Sequence, residues 1–417
     1  MRSSIGYHTA TVFMKTTRKE ATSIYEDFVR YGNKTGEIRT RPINTTTIDP
    51  DGDKFIKQLY SGLSKIHRME YTCKDKGLRW DMRRSISSPG YIKSNFVGED
   101  MPCTIKAKIN PKVLSGDIDY LTAATSDCLR DVEKAFNFET AKISPLLRQF
   151  DSYAYNRIDY CFNGDTNELR IGCTAEQMMK LMKRGNIPDG FHERTKYDAN
   201  SHRGKSCKDS FYLKSNSVVI NCYHKGKELQ ENHPDNSCLD NSHNLIRFEV
   251  QCKYSKVYAM SSVIREDNNG SNSMVMKVLI SNKVCENVIK KYFSKIVRKG
   301  HYFTLSIARK IVKAYNFRND KEERLIYALA LINECRGITK AKSKLLGIDL
   351  QDFKRSLKDL DDMLVNPVTI PREWNIDYIP NLLWAYYDSI YHEQLITLQE
   401  FEAEKHLCEY TKISYSA

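Results

Sequence analysis

Over roughly the first 260 residues, apolar and polar positions alternate in short runs, the period of a half-buried strand. Six runs read this way: His8–Lys15, Leu78–Arg84, Cys103–Asn110, Tyr155–Phe162, Ser217–Tyr223 and Leu245–Cys252. The alternation is cleanest in the last three. Two helical inserts interrupt them. Tyr120–Phe138 carries Leu121, Cys128, Val132 and Phe136 near helical spacing, and Thr174–Arg184 stops at Gly185 and Pro188. Asp198–Asp209 and Gln230–Ser242 are polar and read as loops. Strands and helices mixed without strict alternation predict an α+β fold, an antiparallel-sheet domain with helical inserts over residues 1–265.

Glu266–Ser273 (EDNNGSNS) reads as a linker, taken as 266–280. Beyond it the period lengthens to that of a helix. Val284, Val288, Tyr292 and Ile296 form one stripe, and Thr304–Ala314 and Glu322–Glu334 follow as further helices. Thr339–Leu364 reads helix, turn, helix. Gly347 closes the first piece; Asp349 or Leu350 opens the second, which carries Lys354, Arg355 and Lys358. This predicts a mainly helical, helix-turn-helix-like DNA-binding domain over 281–365, then a helical tail over 366–417. The same pattern also fits plain packing within a helical bundle.

Charge sharpens that reading. The 417 residues hold 65 Lys and Arg against 52 acids, a formal charge of +13, which favours a polyanionic partner. Residues 281–365 alone carry 19 Lys and Arg against 10 acids. The longest apolar run, Leu325–Ile332, is far short of a bilayer span, and the first residues lack the apolar stretch of a secretory signal. No membrane is expected. The 12 cysteines are scattered without a CxxC, so reduced thiols in a cytoplasm are expected.

Familiar hydrolase patterns are missing: no GxxxxGK[ST], GxSxG, HExxH or His-x-His occurs. A metal would be held mainly by carboxylates, which suits Mg²⁺ or Mn²⁺. Two strands share an Arg-x-acid pattern, Arg157-Ile158-Asp159 and Arg247-Phe248-Glu249. Alternation puts each Arg and acid on one face with a hydrophobic back. If the strands are neighbours, two acids and two arginines converge on an open face, able to hold a metal, take a proton or meet phosphate oxygens. Cross-strand ion pairing on a solvated sheet explains the same pattern. Tyr223 ends another strand beside His224, Lys225 and Lys227. A tyrosine among cations could attack phosphorus, because nearby positive charge favours phenolate. With 25 tyrosines in the chain, a structural role is the ordinary expectation for any one of them.

Four collinear stretches carry a resemblance: Met101–Gly116 (MPCTIKAKINPKVLSG), Asn156–Tyr160 (NRIDY), Cys222–Gln230 (CYHKGKELQ) and Leu245–Lys253 (LIRFEVQCK). Together they resemble the filamentous-phage gene II-type replication initiator family and, more distantly, the rolling-circle Rep initiators of Gram-positive plasmids. The resemblance spans about residues 95–260. It implies a site-specific, metal-dependent DNA endonuclease and strand transferase that nicks one origin strand, forms a 5′-phosphotyrosine and starts rolling-circle replication of a phage or plasmid. Tyr223 stands at the nucleophile's position. Asp159 and Glu249 stand at acidic positions tied to metal binding and proton transfer, either acid in either role. Lys225 matches the basic residue after the tyrosine, and Arg157 and Arg247 match arginines that would meet DNA. His224 is no family requirement and flanks the site. The implied cofactor is Mg²⁺ or Mn²⁺. The implied partners are the origin duplex, its exposed single strand, and a host helicase and polymerase. A relaxase of a mobile element, or a non-catalytic DNA-binding regulator, stands as the alternative.

Overall fold

The computed structural model describes residues 2–35, 38–42, 67–73, 76–83, 102–117, 121–194, 196–198, 203–205, 209–232, 234–235, 237–268 and 271–391. The chain divides into two compact units. The N-terminal unit comprises Ile5–Cys161 and Gln251–Glu286; the C-terminal unit comprises Met1–Ser4, Phe162–Val250 and Asn287–Ala417.

Strands β1 (Ser4–Thr17), β2 (Ile38–Pro42), β3 (His67–Cys73), β4 (Leu78–Arg83), β5 (Pro102–Ile109) and β6 (Ala154–Asp165) give the N-terminal unit its sheet, in the order β2-β3-β4-β5-β1-β6. The β2/β3, β3/β4, β4/β5 and β1/β5 pairs are antiparallel. Alternation then sorts the side chains. Val12, Met14, Trp80, Ile105 and Ala107 fall on one face and are buried. Helices Arg18–Thr35 and Leu129–Ile143 cover that face, with the Phe28 and Phe136 rings 5.7 and 5.5 Å from Trp80. Thr11, Phe13, Lys15, Lys106, Lys108 and Arg79 fall on the other face, with Phe13 opposite Lys106 and Thr11 opposite Lys108. The helix Tyr254–Asn268 joins this unit.

The C-terminal unit takes up the end of β6 and continues through β12 (Leu245–Cys252), β11 (Val218–His224), β10 (Ser210–Lys214) and β7 (His192–Glu193), each beside the next. Helix Ala175–Lys183 is fixed at its start by a capping box between Thr174 and Gln177. It buries Met178, Met179 and Met182, and Cys222 lies 3.8 Å from the Met179 sulfur. Further along, helices Leu305–Ala314, Asn319–Cys335 and Gly347–Asp362 pack around Ala308, Val312, Leu325, Leu329 and Leu360. A small pair of strands, β13 (Tyr302–Phe303) and β14 (Tyr378–Ile379), closes that cluster. The architecture is α+β, with a large antiparallel sheet and a mainly helical C-terminal region.

Each of the six expected strands has its counterpart within three residues or fewer at either end, apart from the longer β1. Several details differ. The first helical insert starts at Leu129, because Ala124 pairs with Tyr7 and Ser126–Cys128 forms a 3₁₀ turn first. The stretch read as a linker is largely helical: one helix runs to Asn268, and Ser271 caps the next, Asn272–Leu279. Gly347, at φ +56°, opens the basic helix instead of closing the piece before it. In the loop read over Asp198–Asp209, β8 (Lys196–Asp198) and β9 (Arg203–Lys205) pair, while 199–202 and 206–208 lie outside the described residues. The expected helical tail is described as far as a helix over 382–391; the rest lies outside. Among the described residues, no helix is long and apolar enough to cross a membrane.

Candidate functional site

Tyr223 is the next-to-last residue of β11 and lies opposite Ser210 of β10. Strand alternation turns Cys222 and His224 toward the methionine-rich helix and Tyr223 the other way. The Tyr223 hydroxyl donates to Glu249 Oε1 of neighbouring β12 at 2.7 Å. Burial holds the phenol well above the usual tyrosine range, and the Glu249 charge pushes it further in the same direction; Arg247 opposes both without reversing them. The expectation of a cation-stabilised phenolate is therefore corrected. Tyr223 is a neutral phenol whose proton already points at a carboxylate.

Arg247 and Glu249 share a face of β12, as alternation requires, but that face is not open. Arg247 is 0% exposed and Glu249 4%. Arg247 Nε donates to Asn163 Oδ1 of β6 at 2.7 Å. Lys225 begins the helix Lys225–Asn232 directly after β11, and its Nζ lies 2.5 Å from Glu228 Oε2. Burial lowers the Lys225 ammonium from its ordinary range, Arg247 adds to the fall, and Glu228 and Glu249 offset part of it. The C-terminal unit thus gathers a phenol, two carboxylates, an ammonium and a guanidinium, of which Lys225, Arg247 and Glu249 are buried and Tyr223 and Glu228 half-buried. Such clusters cost folding energy and collect at functional sites.

His224 belongs to a separate group. Its Nδ1 accepts the Lys227 backbone N–H at 3.3 Å, its Nε2 lies 3.6 Å from Glu176, and burial lowers it from the ordinary histidine range.

Arg157 and Asp159 lie in the N-terminal unit, two residues apart on β6. Arg157 grips Asp159 with both arms, Nε to Oδ1 at 2.6 Å and Nη2 to Oδ2 at 2.8 Å, and Thr9 of β1 hydrogen-bonds Oδ2 as well. Asp159 is 2% exposed. A divalent cation needs oxygen lone pairs that these donors already hold, so in this arrangement Asp159 does not fit a cation site. Among the described residues, no three His, Cys, Asp or Glu side chains cluster to hold one.

Lys354, Arg355 and Lys358 project from Gly347–Asp362 into solvent, opposite its buried Phe353, Leu357 and Leu360. Arg355 pairs with Asp352 at 3.2 Å. Arg324 anchors the same helix through Ser356 and Asp359, at 3.0 and 2.7 Å.

Three partners were not singled out from the sequence: Asn163, Thr9 and Glu228. Asn163 continues the Arg157–Asp159 alternation along β6, and Glu228 stands three residues after Lys225 on one helix, so both had a spacing signal. Thr9 had none.

No family model matches the chain, and no curated protein matches it. Among solved structures, a rolling circle replication initiator protein from Geobacillus stearothermophilus superposes at 9% identity over 64% of this chain and 80% of its own, with a TM-score of 0.27. That superposition is too loose to carry a fold or an activity from one protein to the other.

Proposed function

We propose that this chain is a site-specific DNA-nicking enzyme that initiates rolling-circle replication of a phage or plasmid. The observation that supports it most is the 2.7 Å bond from the Tyr223 hydroxyl to Glu249, with Lys225 and Arg247 beside it. Glu249 takes the phenol proton as the oxygen attacks phosphorus. The new bond joins Tyr223 to the 5′-phosphate, and the bond from phosphorus to the 3′-oxygen breaks. Glu249 can return its proton to that leaving oxygen, giving a free 3′-OH. Lys225 and Arg247 offset the charge that builds on the non-bridging oxygens. The covalent link keeps the energy of the broken bond, so rejoining needs no nucleotide, in keeping with a sequence that lacks a P-loop.

In this reading the 3′-OH primes a host polymerase, a host helicase opens the duplex, and Lys354, Arg355 and Lys358 hold the origin by its phosphates. Arg157 would meet DNA once released from Asp159. The Mg²⁺ or Mn²⁺ that the resemblance implies enters no step here, given how Asp159 is occupied. Placement is the cytoplasm of the host cell, where the replicating DNA lies.

The burial of Arg247 and Glu249 favours one competing reading, a DNA-binding regulator that keeps this cluster as a polar core. One experiment separates the two. Incubation with labelled single-stranded origin DNA, then mass spectrometry of the adduct, is expected to find the nucleotide on Tyr223 and no adduct with Tyr223→Phe. An adduct on another residue removes Tyr223 as the nucleophile; none with any origin strand favours the regulator.

A further inference from the structure

The helix Tyr254–Asn268 leaves two large aromatic rings in solvent. Tyr254 is 47% exposed and Tyr258 55%. Four residues apart, they share one helix face, their centroids 5.9 Å apart and their planes inclined by 35°. Tyr254 also meets the edge of Phe13 at 5.9 Å and 76°. Phe13 belongs to the face of the N-terminal sheet that the covering helices leave alone, and its register partner is Lys106. The aromatic row therefore continues onto the sheet. Around it Lys15, Lys106, Lys108 and Arg79 share that face, against Asp81 beside Lys106 and the Asp159 already held by Arg157. Lys106 and Lys108, two residues apart on β5, are separated by about 7 Å, close to the step between phosphates of a stretched single strand.

We propose that this face is a track for single-stranded DNA, on which Tyr254 and Tyr258 stack bases and Lys106, Lys108, Arg79 and Lys15 meet phosphates. The proposal rests on the nicking reading for the kind of nucleic acid, and it adds the residues that hold the strand. Exposed ring faces beside a cationic surface match a single strand, whose bases are free to stack; duplex bases are not. An acidic protein segment would find the lysines but gain nothing from the rings.

The test is fluorescence anisotropy of the full-length chain with labelled oligothymidine that contains no cleavage site. Tyr254→Ala/Tyr258→Ala is expected to weaken binding about tenfold or more, and Tyr254→Phe/Tyr258→Phe to bind like the parent, because stacking needs the ring and not the hydroxyl. Tyr258→Ala alone leaves the Phe13 contact in place and is expected to lose several-fold. Lys106→Ala/Lys108→Ala is expected to reduce the slope of log affinity against log salt by about 1.4. Unchanged affinity in the double alanine variant, with an unchanged circular dichroism spectrum, overturns the track. So does an equal loss in the phenylalanine variant, or alanine variants that fail to release an acidic peptide yet still bind oligothymidine normally. These outcomes leave the Tyr223 adduct untouched. Conversely, a Tyr223→Phe variant that still forms an adduct defeats the nucleophile assignment while the track stands, unless the nucleotide sits on Tyr254 or Tyr258, which overturns both.

Discussion

Tyr223 and Glu249 lie 26 residues apart in the chain and meet at 2.7 Å, phenol hydroxyl to carboxylate. The phenol is held neutral by burial and by that same carboxylate. If Tyr223 is the nucleophile, its activation is a proton transfer to Glu249 during attack.

Glu249→Gln tests the transfer. The substitution removes the base and also two of the influences that raise the Tyr223 pKa. Adduct formation at neutral pH is expected to fall by about 10²-fold or more. The residue of activity should climb as pH rises, because a phenolate now forms more readily. The parent should show no such climb between neutral pH and about 9, where its phenol stays protonated. A flat profile in the variant would separate Glu249 from the phenol's proton.

Buried tyrosines are expected to set the alkaline limit of stability. Tyr7, Tyr155, Tyr160 and Tyr223 are all raised, burial first. A group whose folded pKa lies above its unfolded value stabilises fully below the unfolded value, about 10 for tyrosine, and loses that contribution as pH rises further. His224 and His301 are shifted the other way, lowered by burial, so their contribution is present above about 6.5 and lost as pH falls below it. Urea melts at stepped pH should find stability greatest between these limits. Phenolate absorbance should rise in two phases, exposed tyrosines near 10 and the buried set together with unfolding. A single phase near 10 would contradict the burial.

Asn163 is expected to matter more for folding than its surface-like residue type implies. It accepts from the Nε of an arginine with no solvent exposure. Asn163→Ala leaves that donor buried without this acceptor, a loss of about 1–3 kcal/mol. Chemical denaturation reads it directly; a loss under about 0.5 kcal/mol would mean that water or a shifted side chain replaces the amide.

Much of this was legible in the chain because β6, β11 and β12 alternate cleanly. Alternation put Arg157 with Asp159 and Arg247 with Glu249 on common faces, and both pairings of face are found. What alternation cannot report is what lies over a face. Arg247 and Glu249 read as solvent-facing for that reason, yet they are buried. Helix Arg18–Thr35 and strands β2 and β3 were not anticipated, since their charged residues fall between apolar ones without a clean period. The Tyr223–Glu249 bond is a tertiary contact between neighbouring strands, which the pattern along either strand does not report.

The grip of Arg157 on Asp159 bears on cation dependence. Both carboxylate oxygens accept from the guanidinium, and one also bonds Thr9. A cation on Asp159 would have to displace that guanidinium. Nicking by the parent should therefore persist in EDTA, and calorimetric titration should find no Mn²⁺ bound at Asp159. Loss of nicking in EDTA, restored by Mg²⁺ or Mn²⁺, would mean that a cation displaces the guanidinium and takes part in the step.

The basic helix Gly347–Asp362 can be tested apart from all of these. Its buried face, with Phe353, Leu357 and Leu360, is separate from the face that carries Lys354, Arg355 and Lys358. Arg324 holds it from behind through Asp359. Replacing the three cations with alanine should thus leave thermal stability within about 0.5 kcal/mol of the parent. If each meets one phosphate of the origin duplex, the slope of log affinity against log salt should drop by about 2.7, and affinity should fall alike on origin and unrelated duplexes. A drop confined to the origin would make the helix a reader of bases. No drop would return it to the role of packing against Asn319–Cys335, which Arg324 and Asp359 already serve.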